Sequence, residues 1–164
     1  MRILGLLALS AAIGCTAQKD QAPAAPTGPV VEWAAIASAP RPGPENSMLV
    51  DVDLQVTVLG GWFVYSLTQT TGGPTPMTVT VAAPYTIAGE IVAPPPEKAQ
   101  DANFGIETEK YSGEKIFKIP LRLAASSSLN PPPVELKVRS QACSNRLCLP
   151  ARTTTLMVTP EAAL

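Results

Sequence analysis

From position 50 to 58 the chain alternates strictly, with Val50, Val52, Leu54, Val56 and Val58 separated by Asp51, Asp53, Gln55 and Thr57. A period of two places every apolar side chain on one face, which predicts a half-buried β-strand. Residues 30–38 (VVEWAAIAS) predict an earlier strand, ended by Pro40, Pro42 and Pro44. After Gly60-Gly61, residues 62–68 (WFVYSLT) predict a strand that partners 50–58. Residues 71–76 (TGGPTP) read as a loop, and 77–82 and 85–92 as shorter strands separated by Pro84. Residues 93–105 read as irregular, then 106–110 and 115–123 as strands joined through Ser112-Gly113. Beyond a loop at 125–133 (ASSSLNPPP), Val134, Leu136 and Val138 alternate with Glu135, Lys137 and Arg139, and a last strand is expected over 152–159. Roughly eight or nine short strands with regular turn signals and no amphipathic helix imply an all-β, immunoglobulin-like β-sandwich.

Composition fits that pattern. Of 164 residues, 46% are hydrophobic, yet 18 are proline and 11 glycine, a mixture suited to strands punctuated by turns. A net charge of -1 and a charged fraction of 15% imply no basic surface for nucleic acid. With no histidine, a Ser-His-Asp or Cys-His catalytic site and a His-containing zinc site are excluded within this chain. The folded part, expected over residues 30–160, is long enough to bury its own core without a disulfide.

The first 29 residues are of another kind. Arg2 precedes the apolar run at 3–14 (ILGLLALSAAIG), which has the length of a signal peptide and is too short to span a bilayer. It ends in Ala12-Ile13-Gly14-Cys15, which resembles a bacterial lipobox, so residues 1–14 are expected to be a lipoprotein signal and Cys15 the lipidated residue. The alternative is an ordinary secretory signal cleaved nearby. Thr16, not Asp, follows the cysteine, so an outer-membrane anchor facing the periplasm is the expectation. Residues 15–29, rich in Ala and Pro, carry too little apolar surface to offset their ordering entropy and read as a tether.

The remaining chemistry is a pair of cysteines. Cys143 and Cys148 flank the four residues Ser144-Asn145-Arg146-Leu147, between the last two expected strands. Hairpin geometry brings such positions close enough for a disulfide, and an exported protein sits where disulfides persist. A ring this small stabilises by only about 2 kcal/mol in the loop-entropy picture, so its structural value is low. Arg146 inside the ring favours thiolate over thiol, or is simply a solvated turn residue. The residues themselves leave a redox pair and a structural disulfide both open. Two thiolates without histidine are too few for zinc, and copper held by the cysteines with Met77 or Met157 is a weaker alternative, because those methionines are spaced like strand core residues. No cofactor or metal is implied.

The segment Gln141-Ala142-Cys143 through Cys148-Leu149-Pro150, following an alternating strand, resembles the N-terminal periplasmic domain of DsbD-type thiol:disulfide interchange proteins. Residues 60–69 (GGWFVYSLTQ) with Gly72-Gly73-Pro74 resemble the early hairpin of that family, and Asp101-Ala102-Asn103-Phe104-Gly105 with Tyr111 resembles its cap loop. The resemblance spans about residues 30–159. It implies an immunoglobulin-like sandwich whose Cys143/Cys148 pair takes electrons from a membrane-embedded DsbD-like donor and passes them to periplasmic thioredoxin-fold proteins. It further implies that Cys148 attacks and Cys143 resolves, that Phe104 and Asp101 belong to the cap loop, and that Tyr65 lines the site. From the residues alone, Phe104 reads as a core aromatic at a strand start, and Tyr65 is equally at home in the core. The membrane-spanning and thioredoxin-like parts of full-length family members are not in this sequence, so the donor is expected to be a separate polypeptide. The competing reading is a lipoprotein binding module whose loops hold a partner and whose disulfide is structural.

Overall fold

The structure, a computed structural model, describes residues 26–70, 73–123 and 131–162. The expected signal peptide, Cys15 and most of the expected tether lie outside the described residues, as do parts of the loops expected at 71–76 and 125–133.

Among the described residues, twelve strands build three antiparallel sheets. The first contains β1 (Val31–Ala37), β3 (Met48–Val58), β9 (Glu114–Leu123) and β6 (Tyr85–Ile87) in that order, with the short β2 (Arg41–Pro42) beside the start of β3. The second has the order β12 (Arg152–Val158), β10 (Val134–Ser140), β5 (Thr78–Val81). The third has the order β11 (Ala142–Cys143), β4 (Phe63–Tyr65), β8 (Glu107–Tyr111), β7 (Glu97–Gln100). The architecture is an immunoglobulin-like β-sandwich, as expected. A single 3-10 turn, Pro44–Asn46, is the one helical element among the described residues.

The alternation in β3 works as its sequence dictates. Val50, Val52, Leu54 and Val56 are fully buried, while β3 pairs along ten positions with β9 and seven with β1. Phe117, Ile119 and Leu121 of β9 and Val134, Leu136 and Val138 of β10 are fully buried in the same cluster, with Met77 and Tyr111 almost so. Tyr111 and Phe117 meet edge to face, with ring centroids 5.1 Å apart. Outward positions carry ion pairs such as Lys118 Nζ to Asp53 at 3.0 Å.

Three expectations need correction. The strand after Gly60-Gly61 does not partner β3: both edges of β3 are taken by β1 and β9, and β4 crosses to the third sheet, where it pairs with β8 and β11. Gly61, at φ +83°, supplies the left-handed turn that sends it there. Second, residues 93–105 are not all irregular, because Glu97–Gln100 forms β7. Its mostly polar and exposed side chains carry no alternation, since it is an edge strand held by backbone pairing to β8. Third, Met157 is not a core residue but 64% exposed on β12, whereas Met77 is buried. Strand ends also moved: the expected strand at 85–92 stops at Ile87, with Val92 returning only as a single bridge to Lys118.

Candidate functional site

The strands β10 and β12 pair from Val134↔Val158 to Ser140↔Arg152, and the chain between them makes a second, smaller hairpin that leaves their sheet. Its first arm is β11, which adds to β4 through Ala142↔Val64 and Cys143↔Phe63. The amide of Leu149 donates to the carbonyl of Ala142, and that of Ser144 to the carbonyl of Leu147, both at 2.8 Å. Those two bonds flank Cys143 and Cys148 and make them a non-hydrogen-bonded antiparallel pair, the position where facing Cα atoms lie closest. Their Cα atoms are 4.0 Å apart and the sulfurs are bonded at 2.05 Å. Ser144 organises the turn, its Oγ accepting from the amides of Arg146 and Leu147 at 3.3 Å.

The two sulfurs see different surroundings. Cys143 has no exposed surface and packs with Phe63 and Tyr65, whereas Cys148 is half-buried at the rim of that cluster. The cluster exists because β4 is buried on both faces. Val64 points into the main core, and Phe63 and Tyr65, one position to either side, point to the cysteines. Their rings meet edge to face at 5.6 Å. The ammonium of Lys110 on β8 lies 4.5 Å from the centroid of Phe63 and covers that ring with a cation.

The loop that closes the β7–β8 hairpin is joined to the turn between the cysteines through Asn103 and Ser144. Asp101 is 2% exposed, whereas residues 102–106 are exposed. The hydroxyl of Tyr65 donates to Asp101 Oδ2 at 2.8 Å, the amide of Asn103 donates to Oδ1 at 2.8 Å, and Thr108 Oγ1 lies 3.4 Å from Oδ2. Burial works against the charged carboxylate, but the hydrogen bonds from Tyr65 and from the amides of Asn103 and Phe104 outweigh it and hold its pKa below the usual value. Burial, and then the carboxylate beside it, push the Tyr65 phenol upward, so it stays protonated. Phe104 sits edge-on to Tyr65 with centroids 6.0 Å apart. Gly105, at φ +70°, turns the chain back toward β8 and donates its amide to the carbonyl of Asp101 at 2.8 Å.

The structure therefore brings Cys143, Cys148, Tyr65, Asp101 and Phe104 into one region. Tyr65 is fully buried and packs against Cys143 in the smaller cluster that adjoins the main core. Phe104 is not a core aromatic at a strand start; it lies in the loop and is 40% exposed. Arg146 is exposed on the turn, tied down through its amide. Cys15 lies outside the described residues. Met77 and Met157 are not in the cysteine cluster, and among the described residues no group of three or more His, Cys, Asp or Glu is placed to hold a metal.

Phe63, Lys110, Ser144 and Asn103 also belong to this region, although no role was expected of them from the sequence. Asn103 links the loop to the turn, its Nδ2 donating to the carbonyl of Ser144 at 2.8 Å. A signal was present in Asp-Ala-Asn, the spacing at which an Asp side chain accepts the amide two residues on. No signal in the sequence predicts the bond to Ser144, which crosses 41 positions.

Among solved structures, the chain is similar to the DsbD N-terminal domain of Neisseria meningitidis in its reduced form. The two share 18% identity with a TM-score of 0.48, over 66% of this chain and 75% of that one. It is also similar to the N-terminal periplasmic domain of ScsB from Proteus mirabilis, with 21% identity and a TM-score of 0.46 over 75% of this chain. There it spans about half (51%) of the Proteus chain. No curated protein sequence matches it. The family model described as "Thiol:disulfide interchange protein DsbD, N-terminal" matches residues 37–160, which takes in both sides of the sandwich, the loop of Asp101 and the cysteine hairpin, and on that match the chain belongs to the family of DsbD N-terminal domains.

Proposed function

We propose that the chain carries electrons by thiol-disulfide exchange through Cys143 and Cys148, between a membrane-embedded DsbD-like donor and thioredoxin-fold proteins of the periplasm. One observation carries the reading: the disulfide is asymmetric, with Cys143 sealed in the core annex and Cys148 at its rim. An incoming thiolate reaches the sulfur of Cys148 first. Family membership supports the same chemistry.

In the reductive half, a donor thiolate attacks Sγ of Cys148, the Cys143–Cys148 bond breaks, and Cys143 leaves as a thiolate. The second donor thiol, as thiolate, attacks the donor sulfur of the mixed disulfide and expels Cys148, so two electrons have entered the pair and the donor is a disulfide. In the oxidative half, the Cys148 thiolate attacks a client disulfide. Cys143 then attacks Cys148, restores the intramolecular bond and releases the client as a dithiol. Protons exchange with water at each thiolate. Phe104 and the loop of Asp101 serve as the cover over the pair, Tyr65 as the wall that Asp101 holds in place, and Arg146 as a cation on the turn. Residues 30–160 act as the domain; residues 1–14 act as the export signal, Cys15 as the lipid anchor and 15–29 as the tether that lets the domain meet its partners.

Trapping tests the exchange chemistry. The Cys143→Ala variant should accumulate a mixed disulfide through Cys148 when mixed with a purified, oxidised thioredoxin-fold protein whose disulfide the Cys148 thiolate opens, and Cys148→Ala should not. If neither variant forms one, the exchange mechanism is wrong and the disulfide is a staple.

A further inference from the structure

We propose that Asn103 is a positioning residue for the redox pair, a two-ended clamp that holds the loop of Asp101 against the turn between the cysteines. The inference rests on the exchange reading above. Asn103 is exposed, so its conformation is not fixed by packing. It is fixed at both ends by hydrogen bonds. Its amide donates to Asp101 Oδ1 and its side-chain Nδ2 to the carbonyl of Ser144, each at 2.8 Å. The first end is anchored in the core, because the other oxygen of Asp101 accepts from the buried Tyr65. The second lies inside the disulfide ring, one residue after Cys143. A continuous line of hydrogen bonds thus runs from β4 through Asp101 and Asn103 to the turn that carries the sulfurs.

The chemistry of this position is specific. A carbonyl oxygen accepts only, so its partner must donate, and the NH2 end of an asparagine does. Aspartate has the same shape but only acceptor oxygens, and it would face the Ser144 carbonyl with like charge. Holding Asn103 at both ends also fixes Phe104, the next residue, edge-on to Tyr65. Because the bond to Ser144 is exposed, water replaces it when the loop lifts, and the clamp opens at low cost. Such a clamp slows small thiols that do not engage the loop, while a protein partner that does engage it still reaches Cys148.

The test uses the full, oxidised chain and its Asn103→Ala and Asn103→Asp variants. Three readouts are taken: the rate constant for reduction by glutathione, the rate constant with a reduced thioredoxin-fold protein, and the unfolding midpoint. Both variants should react with glutathione roughly three- to ten-fold faster than the parent, as loss of one net hydrogen bond implies. The rate with the protein partner should rise less than the rate with glutathione, and the unfolding midpoint should stay near that of the parent. If the parent exchanges but neither variant is faster with glutathione, the clamp is refuted and the exchange reading stands. The same holds if Asn103→Asp behaves as the parent, or if the variants only lose stability. If the parent itself resists both reductants, both proposals fall.

Discussion

Around Asp101 three groups converge on two carboxylate oxygens: the Tyr65 hydroxyl, the Asn103 amide and the Thr108 hydroxyl. The side chain is nearly inaccessible, and burial favours its neutral form, but the hydrogen bonds from Tyr65 and from the amides of Asn103 and Phe104 outweigh that and hold its pKa below that of a free aspartate. The sign of the pH dependence follows. A carboxyl whose folded pKa is depressed adds stability above the unfolded value, near 4, and loses it as pH falls through the folded value. The unfolding midpoint of the parent should therefore drop below about pH 4, and Asp101→Asn should remove part of that drop, read from thermal melts between neutral and acidic pH. Tyr65→Phe leaves a buried carboxylate short of one donor. It should cost about 1–3 kcal/mol in urea unfolding. Neither residue is marked as special by its neighbours in the sequence: a strand tyrosine and a loop aspartate are common, and 36 positions separate the pair. Only the family resemblance singled them out, and although it took in Asn103 as part of the loop it gave that residue no role.

The elements that were legible are those with one buried and one exposed face. In β3, β9 and β10 the burial alternates along the strand, and the sequence alternates with it. β4 is buried at all three positions, so no period is visible, and its partner cannot be inferred from the turn before it. β7 and β11 fail for the opposite reason, being short and held by backbone pairing alone or by two residues. The cysteine hairpin was legible as a turn, but not its transfer to the sheet of β4. That transfer bears on stability. Backbone bonds already close the hairpin on both sides of the disulfide, so the bond adds little that the fold needs. Reduction should leave the domain folded and lower its stability by no more than about 2 kcal/mol, measured by urea unfolding with and without reductant.

At the scale of the molecule, the sandwich carries the cysteine pair on an annex at its side. The main core and the cysteine cluster meet at β4, where Val64 faces one and Phe63 and Tyr65 face the other. Stability and the proposed redox chemistry should therefore be separable. Leu54→Ala, deep in the main core, should cost about 2–5 kcal/mol of unfolding free energy while leaving the rate of reduction by glutathione unchanged under conditions where the variant is folded. The central claim, that the pair exchanges electrons and is not a staple, is tested most directly by equilibrating the folded domain with defined thiol buffers and measuring the reduction potential of Cys143–Cys148. A value between roughly -120 and -270 mV, the range of exchanging proteins, is the predicted result, and a value below about -300 mV, where structural disulfides lie, would contradict it.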